Sequence, residues 1–147
     1  MAAILERDTS LTIERWLARV NKIDELTRIP LSVFDRTSYL SLILKNIITR
    51  LRNTRDLETK ALPSPAACEH GVMRYAQGYT APLIVQESRV LQVCIFETIQ
   101  RNLTSVDFSL LLNDVMLIAD EVDAQLTQCI EGFLKAQAGQ LATATPA

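Results

Sequence analysis

Between positions 108 and 133, Phe108, Leu111, Val115, Ile118, Val122, Leu126, Cys129 and Phe133 follow one another at steps of three or four without a break. A strand turns successive residues to opposite faces, whereas a 3.6-residue period gathers residues three and four apart on one side. The segment is therefore predicted to be a helix that begins after Thr104-Ser105 and ends at Gly139. At about 1.5 Å per residue, its roughly 30 residues extend about 45 Å. One apolar stripe of that length has to be covered by other helices. Gly132 inside it is a weak point worth about 1 kcal/mol against Ala. The Ala- and Thr-rich residues 140–147 read as a flexible tail or the start of a linker.

The rest of the chain supplies helices of matching character. Ile13, Trp16, Val20 and Ile23 mark an amphipathic helix from Ser10 to about Asn21. Pro30 interrupts, and Ser32 or Asp35 caps a second helix with the stripe Leu40, Ile43, Ile47 and Leu51, with Lys45, Arg50 and Arg52 turned outward, ending near Asn53. A polar stretch from Arg55 to Leu62 leads to Ser64-Pro65, an N-cap followed by proline at the first helical position. That opens a third, shorter helix to about Gln77. Gly78 suits the left-handed residue past a helix end, and Thr80-Ala81-Pro82 starts a fourth helix to about Asn102 with Ile84, Ser88, Leu91, Ile95 and Ile99 inward. No strand-like alternation competes. The expected fold is all-α, an antiparallel helical bundle of about five helices with a long C-terminal helix, forming one domain over residues 1–139.

Charge and composition narrow the functions. A formal net charge of −2 argues against nucleic acid, which favours a basic surface. Positions 45–60 hold five Lys or Arg against Asp56 and Glu58, and Asp107 to Glu131 hold six acids and no base; both read as solvated helix faces. Cys68, Cys94 and Cys129 lack metal-site spacing and read as small core residues. No signal-peptide pattern opens the chain and no apolar run is long enough for membrane insertion, so the expected compartment is cytoplasmic.

Catalysis is restricted by a single histidine, His70. It stands beside Gly71 in a predicted helix without a nucleophile elbow, and Cys68 two positions away does not share its face. One His cannot furnish a di-iron bundle site, and Asp120, Glu121 and Asp123 read as an exposed acidic face. No catalytic residue, metal or cofactor is expected. One His does suffice for proximal haem ligation, which keeps a haem or small-ligand sensor as the alternative. The most informative stretch is the corner between the third and fourth helices. His70, Arg74 and Gln77 share a helix face, Gly71 permits close approach of a neighbour, Gly78 and Tyr79 make a tight turn, and Glu87 is placed to receive Arg74 or His70. These groups either fix the corner internally or line a pocket or partner surface.

The pattern His70-Gly71-x-x-Arg74-x-x-Gln77-Gly78-Tyr79, followed by a helix with Glu87, resembles the N-terminal domain of RsbT co-antagonist proteins of the RsbRD type, a domain also found ahead of some bacterial sensor histidine kinases. The Ile13 to Leu17 segment and the helix from Asp120 to Phe133 fit the same outline. The resemblance implies a non-enzymatic sensory or interaction domain of a bacterial signal-transduction protein, a homodimer that works through helix shifts. Its partners would be a downstream signalling module, kinase or stress regulator.

Overall fold

In a computed structural model, residues 1–53 and 63–144 are described. They form α1 (Ala2–Arg7), α2 (Thr9–Val20), α3 (Asp24–Thr27), α4 (Val33–Thr37), α5 (Leu40–Asn53), α6 (Pro65–Ala76), α7 (Ala81–Gln100), a single 3-10 turn (Leu103–Ser105) and α8 (Phe108–Ala144). Among the described residues there is no strand. The five longer helices, α2, α5, α6, α7 and α8, occupy the five segments that hydrophobic periodicity marks out. The polar stretch from Arg55 to Leu62 lies outside the described residues.

Three details differ from expectation. A short helix, α1, precedes α2 and buries Ile4 and Leu5. Ser32 does cap a helix, its Oγ accepting from the Asp35 N–H at 3.0 Å, but that helix is α4 alone. Thr37 turns its hydroxyl back to the Val33 carbonyl at 2.8 Å, a local bond that competes with helix continuation, and α5 starts afresh at Leu40. At the other end Gly139 does not stop α8, which continues to Ala144 for a length of 37 residues. Gly78 is the one described glycine with positive φ, so Gly139 never takes up the left-handed cap geometry, and its low helix propensity alone is too small to end so long a helix.

Packing directions can be read from side-chain register. Asn46 of α5 bonds Ser64 and Tyr39 bonds Met73, so α5 and α6 run in opposite directions. Arg50 meets Glu121 while Gln125 meets the Ile43 carbonyl, so α5 and α8 also oppose. By contrast α6 and α8 run the same way: Ser64 N–H donates to Gln128 Oε1, Gly132 lies under Cys68, and the Tyr75 ring meets Phe133 edge-on at 5.3 Å. A Cβ at Gly71 would fall 1.8 Å from the Cys129 carbonyl oxygen, and one at Gly132 would fall 2.0 Å from that of Cys68. The two helices therefore touch backbone to backbone through a reciprocal pair of glycines.

The core gathers Trp16, Val20, Leu26, Leu44, Ile47, Ile95, Leu117 and Ile118, all essentially inaccessible. Ile118, Val122, Cys129 and Phe133 of the α8 stripe are buried, but Phe108 is 68% exposed. Helices α5, α6 and α7 make the main contacts with α8, so its buried surface is wider than the stripe and takes in Glu121 and Gln125; Asp114 is also buried, 3.9 Å from the Met1 ammonium. Arg50, expected to face outward, is buried at 2% exposure and bonds Glu121 and Asp120. Burial works to lower its pKa, yet the hydrogen bonds it donates to these two carboxylates hold it above the ordinary arginine value. No helix among the described residues is long and apolar enough to cross a membrane.

Candidate functional site

The corner between α6 and α7 is built by a helix-ending motif. Gln77 caps α6, Gly78 takes φ +85°, the Gly78 N–H returns to the Tyr75 carbonyl and the Tyr79 N–H to the Arg74 carbonyl, both at 3.0 Å. This is the paired bonding of a Schellman cap, which characteristically brings the second residue past the cap against the residue three before it. Here those two are Tyr79 and Arg74, and the Arg74 guanidinium stands 4.7 Å over the Tyr79 ring.

Arg74 is 1% exposed, so each of its donors needs a partner inside the fold. Nε donates to Glu87 Oε2 at 3.1 Å, Nη1 to Gln77 Oε1 at 2.8 Å and to the Asp35 carbonyl at 3.2 Å, and Nη2 to the Arg36 carbonyl at 2.9 Å. Glu87 Oε1 accepts from the Tyr79 hydroxyl at 2.6 Å. That hydroxyl in turn accepts from Arg36 Nη1 at 3.0 Å, while Arg36 Nη2 reaches the Leu26 and Ile29 carbonyls at 3.2 and 2.8 Å. The Trp16 indole N–H donates to the backbone carbonyl of Glu87 at 3.1 Å.

Two buried guanidinium groups thus face one carboxylate. The surplus positive charge is met by carbonyls at the C-terminal ends of α3 and α4, which carry the negative end of each helix dipole. Burial raises the pKa of Glu87, and the charge of Arg74 and the Tyr79 hydrogen bond pull against it. Burial and the Glu87 charge together push the Tyr79 hydroxyl well above the usual phenol range. The cluster is a closed hydrogen-bonded network.

Of the residues singled out in the sequence, Arg74, Gln77, Tyr79 and Glu87 come together, with Arg74 and not His70 pairing with Glu87. Gly71 serves the α8 contact and Gly78 the turn. His70 lies one helical turn before Arg74, its ring 4.7 Å from that of Tyr39 at a 40° tilt. Burial, reinforced by the Arg74 charge, lowers its pKa to about 3, which keeps it neutral at ordinary pH. Arg36 and Trp16 belong to the network without any local signal in the sequence, because their partners lie at distant positions in the chain.

His70, Arg74 and Glu87 also border a cavity of about 40 Å³ among α2, α5, α6, α7 and α8. A haem macrocycle has no room there. Among the described residues no three His, Cys, Asp or Glu side chains converge as metal ligands. Cys129, which borders the same cavity, is pushed up to about 12 by burial and is a poor nucleophile. No protein-family model, curated protein or solved structure matches this chain.

Proposed function

We propose that this chain is a non-catalytic regulatory domain of a bacterial signal-transduction protein, of the class that the RsbRD-type resemblance implies. In this reading it is a cytoplasmic bundle of helices alternating in direction, it pairs with a second copy, and it passes its state to a downstream module through α8.

The observation that carries the reading is the outer face of α8. Phe108, Leu112 and Met116 are 68%, 72% and 45% exposed, and their spacing of four lines them up along the first turns of the helix. An apolar row on a long helix suits an isologous contact in which the same face meets itself. The same helix stays continuous for several turns beyond Phe133, where most positions, Leu134 included, are exposed. A helix anchored in the core at one end and solvated at the other is suited to connect the bundle to something outside it. The closed hydrogen bonding around Arg74 supports a structural and not a catalytic use of those polar groups.

Sedimentation velocity and native mass measurement of the chain test this. The expected result is a dimer of bare polypeptide mass that Leu112→Asp with Met116→Asp converts to a monomer of unchanged helicity. A chain that is monomeric at every concentration, or a dimer indifferent to those substitutions, would overturn it.

A further inference from the structure

The cavity among α2, α5, α6, α7 and α8 is mostly apolar, but it has two unsatisfied polar neighbours. His70 on α6 and Gln125 on α8 both border it. His70 Nδ1 and Gln125 Oε1 are buried atoms with no hydrogen-bond partner in the protein. Gln125 is only 4% exposed, and its amide nitrogen is committed to Glu121 Oε1 at 2.9 Å and the Ile43 carbonyl at 3.4 Å. Those two acceptors fix which way the amide lies, so Oε1 remains as an acceptor that needs a donor. Neutral imidazole carries its hydrogen on either nitrogen, and on Nδ1 that hydrogen needs an acceptor.

A single hydroxyl group within reach of both atoms would meet both needs at once, donating to Gln125 Oε1 and accepting from His70 Nδ1–H. Charged ligands suit the site poorly. A cation would face Arg74, and an anion would face Glu87 and the amide oxygen of Gln125, with Leu40, Ile84 and Leu91 as the remaining wall. The volume of about 40 Å³ sets the size, since a water-sized centre takes about 10–15 Å³, leaving room for roughly three non-hydrogen atoms.

We propose that this cavity is a binding site for a small uncharged hydroxyl compound, water or a short-chain alcohol, held between Gln125 Oε1 and His70 Nδ1–H. The site touches α6 and α8 together, so its occupant bears on the helix to which the proposed function gives the output role. The inference rests on the cavity and the two unpaired atoms and not on self-association, and a monomeric chain would still display it.

Because His70 is the only histidine, its ring nitrogens can be followed without assignment by 15N NMR on the whole chain. The expected spectrum is that of the Nδ1–H tautomer, the less common form of free imidazole. Ethanol is the probe. A saturable shift of the Nδ1 signal, with millimolar affinity at best for so small a ligand, identifies an alcohol site. An Nδ1–H signal that ignores ethanol identifies water as the hydroxyl. In both cases Ala67→Val, which fills the cavity and leaves both polar groups in place, and Gln125→Leu, checked for retained helicity, should displace the signal. An Nε2–H tautomer in the unaltered chain with and without ethanol overturns the proposal, as does a spectrum that neither substitution moves.

Discussion

Replacing Gly71 by alanine places a methyl group 1.8 Å from the Cys129 carbonyl oxygen and 2.8 Å from both the Cys129 carbonyl carbon and the Phe133 nitrogen. All three atoms are backbone of α8, so no side chain can swing away. The nearest contact falls short of the ordinary 3.4 Å by about 1.6 Å, and α6 has to retreat from α8 by a comparable distance. That retreat loosens the Tyr75–Phe133 ring contact and the Ser64–Gln128 bond. Overpacking of this kind costs about 3 kcal/mol. Alanine returns about 1 kcal/mol through its better helix propensity, leaving a net loss of about 2 kcal/mol. For a chain of this size that lowers Tm by roughly 6 °C. Gly139→Ala is the matched control: an added Cβ there meets nothing within 4 Å, so only the propensity gain of about 0.5–1 kcal/mol remains. Thermal unfolding followed by circular dichroism should therefore show shifts of opposite sign. A Gly71→Ala chain as stable as the unaltered one would refute the backbone-contact reasoning.

Three further outcomes are expected. Burial holds the folded pKa of His70 at about 3 against 6.5 for a solvated imidazole, so below pH 6.5 the unfolded chain takes up a proton that the folded chain refuses, and stability falls as pH falls across that window. Urea unfolding should lose about 2 kcal/mol between pH 7.5 and 5.0 that His70→Asn does not lose; an equal decline in both chains would contradict the assigned burial. Arg74→Met strips partners from Glu87, Gln77 and two helix-end carbonyls and should cost about 3–5 kcal/mol in the same assay at pH 7.5, so a loss below 1 kcal/mol would show the network to be slack. Tyr79→Phe removes the 2.6 Å bond to Glu87 and should cost about 1–3 kcal/mol without change in helix content by circular dichroism; a neutral substitution would mean that Arg36 and Arg74 suffice for that carboxylate.

The helices were legible because their signals are local. Ser64-Pro65, the Gly78 turn and the apolar periodicity each act within a few residues, and the structure places helix ends accordingly. Arg74 and Glu87 were also legible as partners, since the Gly78 corner folds one helix directly onto the next. What escaped depends on residues far apart in the chain. Arg50 reads as an outward cation until Glu121 is known to lie opposite it, and Gln125 reads as an ordinary polar residue until α5 covers it. Phe108 continues the apolar stripe in sequence but lies outside the surface that α5, α6 and α7 cover. Gly132 was legible only as a defect in a helix, because its use depends on Gly71 arriving from another one.

The paired glycines also limit how α8 can move. A slide by one turn, about 5.4 Å along its axis, would bring Gln128 or Ala136, which share the face of Gly132, toward the Cys68 carbonyl, where the space admits only the hydrogen of a glycine. Gly71 and Gly132 thus act as a notch and pin that block piston motion. Any displacement of α8 has to be a tilt or roll that carries α6 with it, so the two helices form a single lever with the Gly78 corner riding at the end of its shorter arm.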